Sequence, residues 1–255
     1  MPSSPGASSR TCERAVPLTE STSPNRDAYD RDYYARMYRT NAFTCPTRKW
    51  REREENLLDL VRPEPDMTLL ELGCARGDTA FFFAPRVRRV IGLDGEPLAI
   101  ELARRRAAEA EISNVEFHLA DARSFPQVAD HSIDCAGAFD FLEHILDEVV
   151  SGMLREVARV LKPDGRFVVY TPNREHWVER LKAHNFLLRQ QPDHIAVRRP
   201  REIETLLRES GLRLVRVFYP AAPYPFYRPI DRLLKGLPSL GRPFRFRICL
   251  EAKLA

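Results

Sequence analysis

At 255 residues, 44% of them apolar and 30% charged, the chain is long enough for one large domain around a buried sheet and short for two such domains. Its 40 basic and 36 acidic residues leave a net charge of +4, a mixed surface that does not by itself call for nucleic acid. Five scattered cysteines without a C-x-x-C pair argue against a disulfide framework and a zinc site, and neither an apolar leader nor a run of about 18 apolar residues occurs. The expectation is a cytoplasmic chain without a transmembrane segment.

Residues 1–26 are rich in Ser, Pro and Thr and show no apolar periodicity, which predicts a disordered tail. Residues 27–255 then read as one domain. Tyr29, Tyr33, Tyr34, Met37 and Tyr38 recur at near-helical spacing, and a second helix is predicted over 48–61 from Trp50, Leu57, Leu58 and Val61. Residues 67–72 have only Thr68 and Glu71 as polar members and predict a strand buried on both faces. It breaks into Gly73 and Gly77, a turn that lets the backbone pass close to a ligand. Asp78 stands where a dinucleotide-binding turn would carry its third glycine, and with Glu71 it would repel a pyrophosphate. A ligand with an ammonium and a sulfonium suits these charges better.

Further along, helices are predicted over 78–85, 95–110, 151–161 and 200–210, and strands over 90–94, 115–119, 133–138, 166–170, 212–219 and 244–253. Residues 174–200 are loosely patterned and hold His176, His184 and His194. Residues 219–242, rich in aromatics, prolines and arginines, suit a pocket rim or a peripheral membrane contact. The alternation specifies an α/β, doubly wound, mainly parallel sheet, which binds ligands at the carboxyl ends of its strands.

Glu71-x-Gly73-Cys74-x-x-Gly77 after an apolar strand resembles the first motif of the class I S-adenosylmethionine-dependent methyltransferases. Asp94 ends the next strand 94 − 71 = 23 residues later, close to the roughly 20 expected for a ribose-binding acid. Leu142-Glu143-His144, then Leu161-Lys162-Pro163-Asp164-Gly165 and Thr171-Pro172-Asn173, are similar to the ubiquinone-biosynthesis O-methyltransferase type and its small-molecule relatives. The resemblance implies a seven-stranded sheet with the last pair antiparallel and S-adenosylmethionine as methyl donor. It divides the domain into an N-terminal helical lid (27–66), a cofactor-binding core (67–173) and substrate-facing insertions with the last strand pair (174–255). It also implies donor-binding roles for Glu71, Gly73, Cys74, Ala75, Gly77, Asp94, Gly95, Ala122 and Phe139. Asp121 would accept from the adenine amino group, and an arginine of the lid, Arg48 first and Lys49 or Arg51 otherwise, would meet the methionine carboxylate. Ala75 replaces a frequent glycine and is expected at negative φ.

Methyl transfer to oxygen needs acceptor and methyl held in line and a base near neutral pKa. His144, just past the fourth strand, is the first candidate and His194 the second, against the plainer reading of each as a surface or capping histidine. Glu143, His144, Asp147 and Glu148 on one turn are not completed by a further cluster, so no metal is expected. No (N/D)-P-P-(Y/F) follows strand four and no Pro-Cys dipeptide occurs, which disfavours a nucleic-acid substrate. The expectation is O-methylation of a small-molecule acceptor. Protein or nucleic-acid methylation, or a non-catalytic cofactor-binding module, are the alternatives, and oligomeric state and acceptor identity stay open.

Overall fold

The computed structural model describes residues 48–184, 189, 194–222, 228–237 and 240–255. The expected tail at 1–26 and the tyrosine-bearing helix at 27–41 lie outside the described residues. Strand β1 (Thr68–Leu72) is buried at every position and pairs in parallel with β2 (Arg89–Asp94) and β4 (Ile133–Phe139). The remaining strands are β3 (Val115–Leu119), β5 (Leu161–Pro172), β6 (Leu212–Phe218) and β7 (Arg247–Leu254). Among the described residues they form one seven-stranded sheet in the order β3-β2-β1-β4-β5-β7-β6. Strand β7 runs antiparallel to both of its neighbours, and the other pairs are parallel.

The period of two along each strand sorts the apolar residues onto opposite faces. Leu69, Val90, Cys135, Val168 and Tyr170 pack under α1 (Arg48–Val61), α2 (Asp78–Phe83) and α3 (Pro97–Glu109). Leu70, Ile91, Ala136, Phe167 and Val169 pack under α4 (Asp147–Val160) and α6 (Pro200–Glu209). Helix α1 buries Leu57, Leu60 and Val61, each worth about 1.5–3 kcal/mol. Arg62 just beyond it donates to both oxygens of Glu251 at 2.8 Å. That anchoring fixes where the rest of α1 points. No helix among the described residues is long and apolar enough to cross a membrane.

Helix α4 begins one turn before the predicted start, with Asp147 and Glu148 in its first turn, where acidic side chains meet the positive end of the helix dipole. Strand β5 starts directly at Leu161, and the register to β4 shifts between Ile133 and Cys135. The Lys162-Pro163-Asp164-Gly165 turn is thus a bulge within the strand, held by Lys162 on Asp134 at 2.6 Å. Two seven-residue helices, α5 (Trp177–Ala183) and α7 (Arg228–Leu234), fall in stretches read as irregular. Two turns show too little periodicity to announce themselves. Helix α5 is instead capped by the fully buried His176, whose Nδ1 accepts from Val178 N at 3.3 Å.

Strand order reverses between β1 and β4, and the crevice outside their carboxyl ends is where an open α/β sheet takes its ligand. Because β7 is antiparallel, its first residue, Arg247, is delivered to the same end, opposite Pro172 of β5.

Candidate functional site

The turn after β1 has three left-handed residues, Gly73 (φ +71°), Ala75 (φ +45°) and Gly77 (φ +84°). A Cβ on Gly73 would stand 2.2 Å from the Phe141 ring, and one on Gly77 2.7 Å from the Phe117 ring. Ala75 departs from its expected negative φ, and the reason is Asp94. Its Oδ2 accepts from Ala75 N at 2.8 Å and its Oδ1 from Glu96 N at 2.8 Å. A left-handed alanine costs about 1–2 kcal/mol, and a hydrogen bond to a charged acceptor returns about 1.5–3 kcal/mol. The carboxylate therefore holds the turn in place.

Glu71 ends β1 only 3% exposed, and its Oε2 is buried with no hydrogen-bond partner among the described residues. Burial pushes its carboxyl up to about 8, against the pull of the Arg53 guanidinium. Such a buried acceptor suits a cationic group. Arg53, from α1, donates to Asp140 Oδ2 at 2.9 Å and to Thr79 Oγ1 at 3.2 Å. Asp78, by contrast, is paired with Arg76 at 2.7 Å and Arg106 at 2.8 Å. Its charge is compensated, so the repulsion expected of it toward phosphates falls to Asp94 instead.

Beyond β4, Asp140 is also left-handed (φ +53°) and joins Arg53 to Arg247, the latter at 2.6 Å. Glu143 is 1% exposed, accepts from Thr171 Oγ1 at 3.0 Å and lies 3.7 Å from Arg247. Burial first, and the Asp140 carboxylate next, push it up to about 8. The rings of His144 and His194, 50 residues apart in sequence (194 − 144), meet edge to face with centroids 5.1 Å apart. One donor atom each from Glu143, His144 and His194 lies within 4.8 Å of the others. That set has the chemistry of a divalent-cation site, but the proton that burial keeps on Glu143 and the guanidinium beside it both work against a cation.

A family model described as a methyltransferase domain matches residues 63–212, more than half of the chain. The chain belongs to the methyltransferase family. An uncharacterized methyltransferase of Bacillus subtilis, YcgJ, is 39% identical over 101 residues, covering 40% of this chain and 39% of that protein. A ubiquinone biosynthesis O-methyltransferase of Neisseria meningitidis is 26% identical over 165 residues, covering 61% of this chain and 68% of that protein. Matches to the first curated relatives span between 33% and 39% of those proteins' length. Among solved structures, geranyl diphosphate C-methyltransferase of Streptomyces coelicolor, in complex with Mg2+, geranyl diphosphate and S-adenosyl-L-homocysteine, superposes with a TM-score of 0.61 at 18% identity. It covers 86% of this chain and 83% of that one. The YcgJ crystal structure gives a TM-score of 0.56 at 22% identity, covering 80% and 96%. These likenesses agree with the class I methyltransferase fold that the sequence motifs imply.

On this methyltransferase frame the expected donor residues Glu71, Gly73, Ala75, Gly77 and Asp94 do converge on one turn, and a Cβ on Gly95 would come no nearer than 3.6 Å to Ala120 O. Cys74 and Phe139 are buried in the core, with the Phe139 ring tilted against Phe83 at 6.1 Å and the Cys74 thiol donating to Ala75 O at 3.8 Å. Ala122 is half-buried against the opposite core. Asp121 is exposed, and its carboxylate is gripped by Arg123 at 2.6 Å, so an adenine amino group would compete with a guanidinium there. The side chains of Arg48 and Lys49 lie outside the described residues, and Arg51 is exposed. Among the described side chains of α1, Arg53 is the arginine that reaches Asp140. It was visible in principle: Trp50, Arg53, Leu57 and Leu60 share one helical stripe, and a charge on a buried stripe is a signal. Arg247 and Asp140 had no such signal, and Thr171 was marked only through the Thr171-Pro172-Asn173 motif.

Proposed function

We propose that the protein transfers a methyl group from S-adenosylmethionine to the oxygen of a small-molecule acceptor. The observation that carries the oxygen acceptor is the His144–His194 pair, assembled beyond β4 from two distant segments. The donor half fits the cofactor through Glu71, whose unpartnered Oε2 would accept from the methionine ammonium, and Asp94, whose carboxylate would accept from the ribose hydroxyls. Arg53 would turn from Asp140 toward the methionine carboxylate. When bound, the cofactor supplies an electrophilic methyl on a sulfonium. An imidazole nitrogen of the pair would take up the proton that the acceptor hydroxyl gives up on being methylated, and the cofactor would leave as the neutral thioether. His144 is the base in this reading, and His194 at its edge orients it. Relatives named as a ubiquinone biosynthesis O-methyltransferase and a nocamycin O-methyltransferase of Saccharothrix syringae support an oxygen acceptor.

The experiment is an extract screen with methyl-labelled donor, followed by identification of the labelled product and kinetics of His144→Ala on it. Turnover is expected to fall by roughly 10²–10⁴ with affinity for S-adenosylhomocysteine changed no more than a few fold. Full turnover in that variant would overturn the base role. A labelled protein or nucleic acid would overturn the acceptor class.

A further inference from the structure

We propose that Arg198 is a positioning residue that sets His144 against His194. The inference rests on the reading of the two histidines given above. Arg198 precedes α6 and is only 5% exposed. Its Nε and Nη2 donate to Asp147 Oδ1 at 2.8 and 2.6 Å. Nη2 also donates to Ile145 O at 2.7 Å, and Nη1 donates to Leu142 O and, at 3.1 Å, to Ala196 O.

These contacts bracket His144 and hold the segment just after His194. Leu142 opens the 3-10 turn Leu142–His144 and Ile145 follows it, so the guanidinium grips the carbonyls on both sides of His144. Asp147 opens α4 immediately after. On its own segment Arg198 holds the Ala196 carbonyl, while Ala196 N donates to Glu143 O at 3.0 Å, two residues past His194. Arg174 N donates to Arg198 O at 3.1 Å and ties the same segment to the loop after β5. The planar group thus joins two chain segments, 142–147 and 196–198, and the backbone carbonyl of the same residue ties in the third. A guanidinium can do this because its N–H donors form a rigid fork, whereas an ammonium presents three donors from a single point and cannot span carbonyls on opposite sides. Without the fork, the Leu142 and Ile145 carbonyls lose a buried partner and the turn carrying His144 is free to re-register.

The test reads the geometry itself, because a merely stabilising arginine would change melting without moving the rings. In the full-length protein with labelled histidine, the cross-ring NOE between His144 and His194 is measured, with assignments from His144→Gln and His194→Gln. Arg198→Lys is expected to weaken that NOE several-fold while affinity for S-adenosylhomocysteine stays within about twofold, the donor turn being a separate network. Wild-type NOE intensity in Arg198→Lys, with or without a lower Tm, overturns the proposal. So does an NOE lost together with cofactor affinity, which would make Arg198 a general support of the fold. Arg198→Ala should abolish the NOE. If that variant does not fold, Arg198→Lys decides alone. Because no acceptor is needed, a positive result stands even if His144→Ala later retains turnover, and the two readings fail separately.

Discussion

The two halves of the crevice are held by different kinds of bond. The donor half is built from residues 71–96, within which Asp94 fixes the Ala75 and Glu96 amides and Leu93 O accepts from Gly73 N and Cys74 N at 2.8 and 3.0 Å. The acceptor half draws on segments 140–147, 171, 194–198 and 247, joined by guanidinium–carboxylate and guanidinium–carbonyl contacts across up to 107 positions, while Arg53 stands between the halves on Thr79 and Asp140. A local backbone turn tolerates change elsewhere in the chain, whereas a charge network of distant parts depends on every element that brings a member to it. The halves should therefore respond separately.

The sharpest way to break that separation is Asp94→Ala. It removes the acceptor for the Ala75 amide together with two charge-assisted bonds proposed to the ribose, each about 1.5–3 kcal/mol, so affinity for S-adenosylhomocysteine should fall on the order of 100-fold or more by calorimetry. The His144–His194 NOE should be unchanged. An affinity within a few fold of wild type would remove Asp94 from the donor site, and a lost NOE would show that the halves are one network.

Glu71 sharpens the comparison through pH. Its carboxyl is raised from an ordinary 4.5 to about 8, so its contribution to stability is fully present below 4.5 and is lost as pH rises toward 8, where the buried group is forced to ionise. A ligand ammonium favours the ionised form, so binding should expel a proton and tighten about tenfold from pH 6 to pH 7. Glu71→Gln should flatten this slope. A slope that persists in Glu71→Gln would assign the proton to another group.

The smallest effect is expected at Ala75. Replacement by glycine relieves about 1–2 kcal/mol of left-handed strain and adds about 0.5–1 kcal/mol of unfolded-chain entropy, for a net gain of up to about 1.5 kcal/mol, or at most roughly 3–6 °C in Tm. A lower Tm would mean that the alanine methyl makes a packing contribution larger than its strain.

Sequence by itself determined the strand alternation, the glycine turn and the acids at strand ends. Each is a short-range pattern, and burial of an apolar strand or a positive φ leaves its mark within a few residues. It also singled out His144 and His194, but one at a time and each with a plainer alternative. Tertiary structure decided the rest. It showed that Asp78 and Asp121 are already engaged by arginines, that Arg53 of α1 reaches Asp140, and that Ala75 is held left-handed by Asp94. It brought Arg247 in because β7 is antiparallel, and it brought the two imidazoles together through the segment fixed by Arg198. The physical reason is that charge pairing among buried groups depends on through-space distance, which periodicity along a chain does not encode.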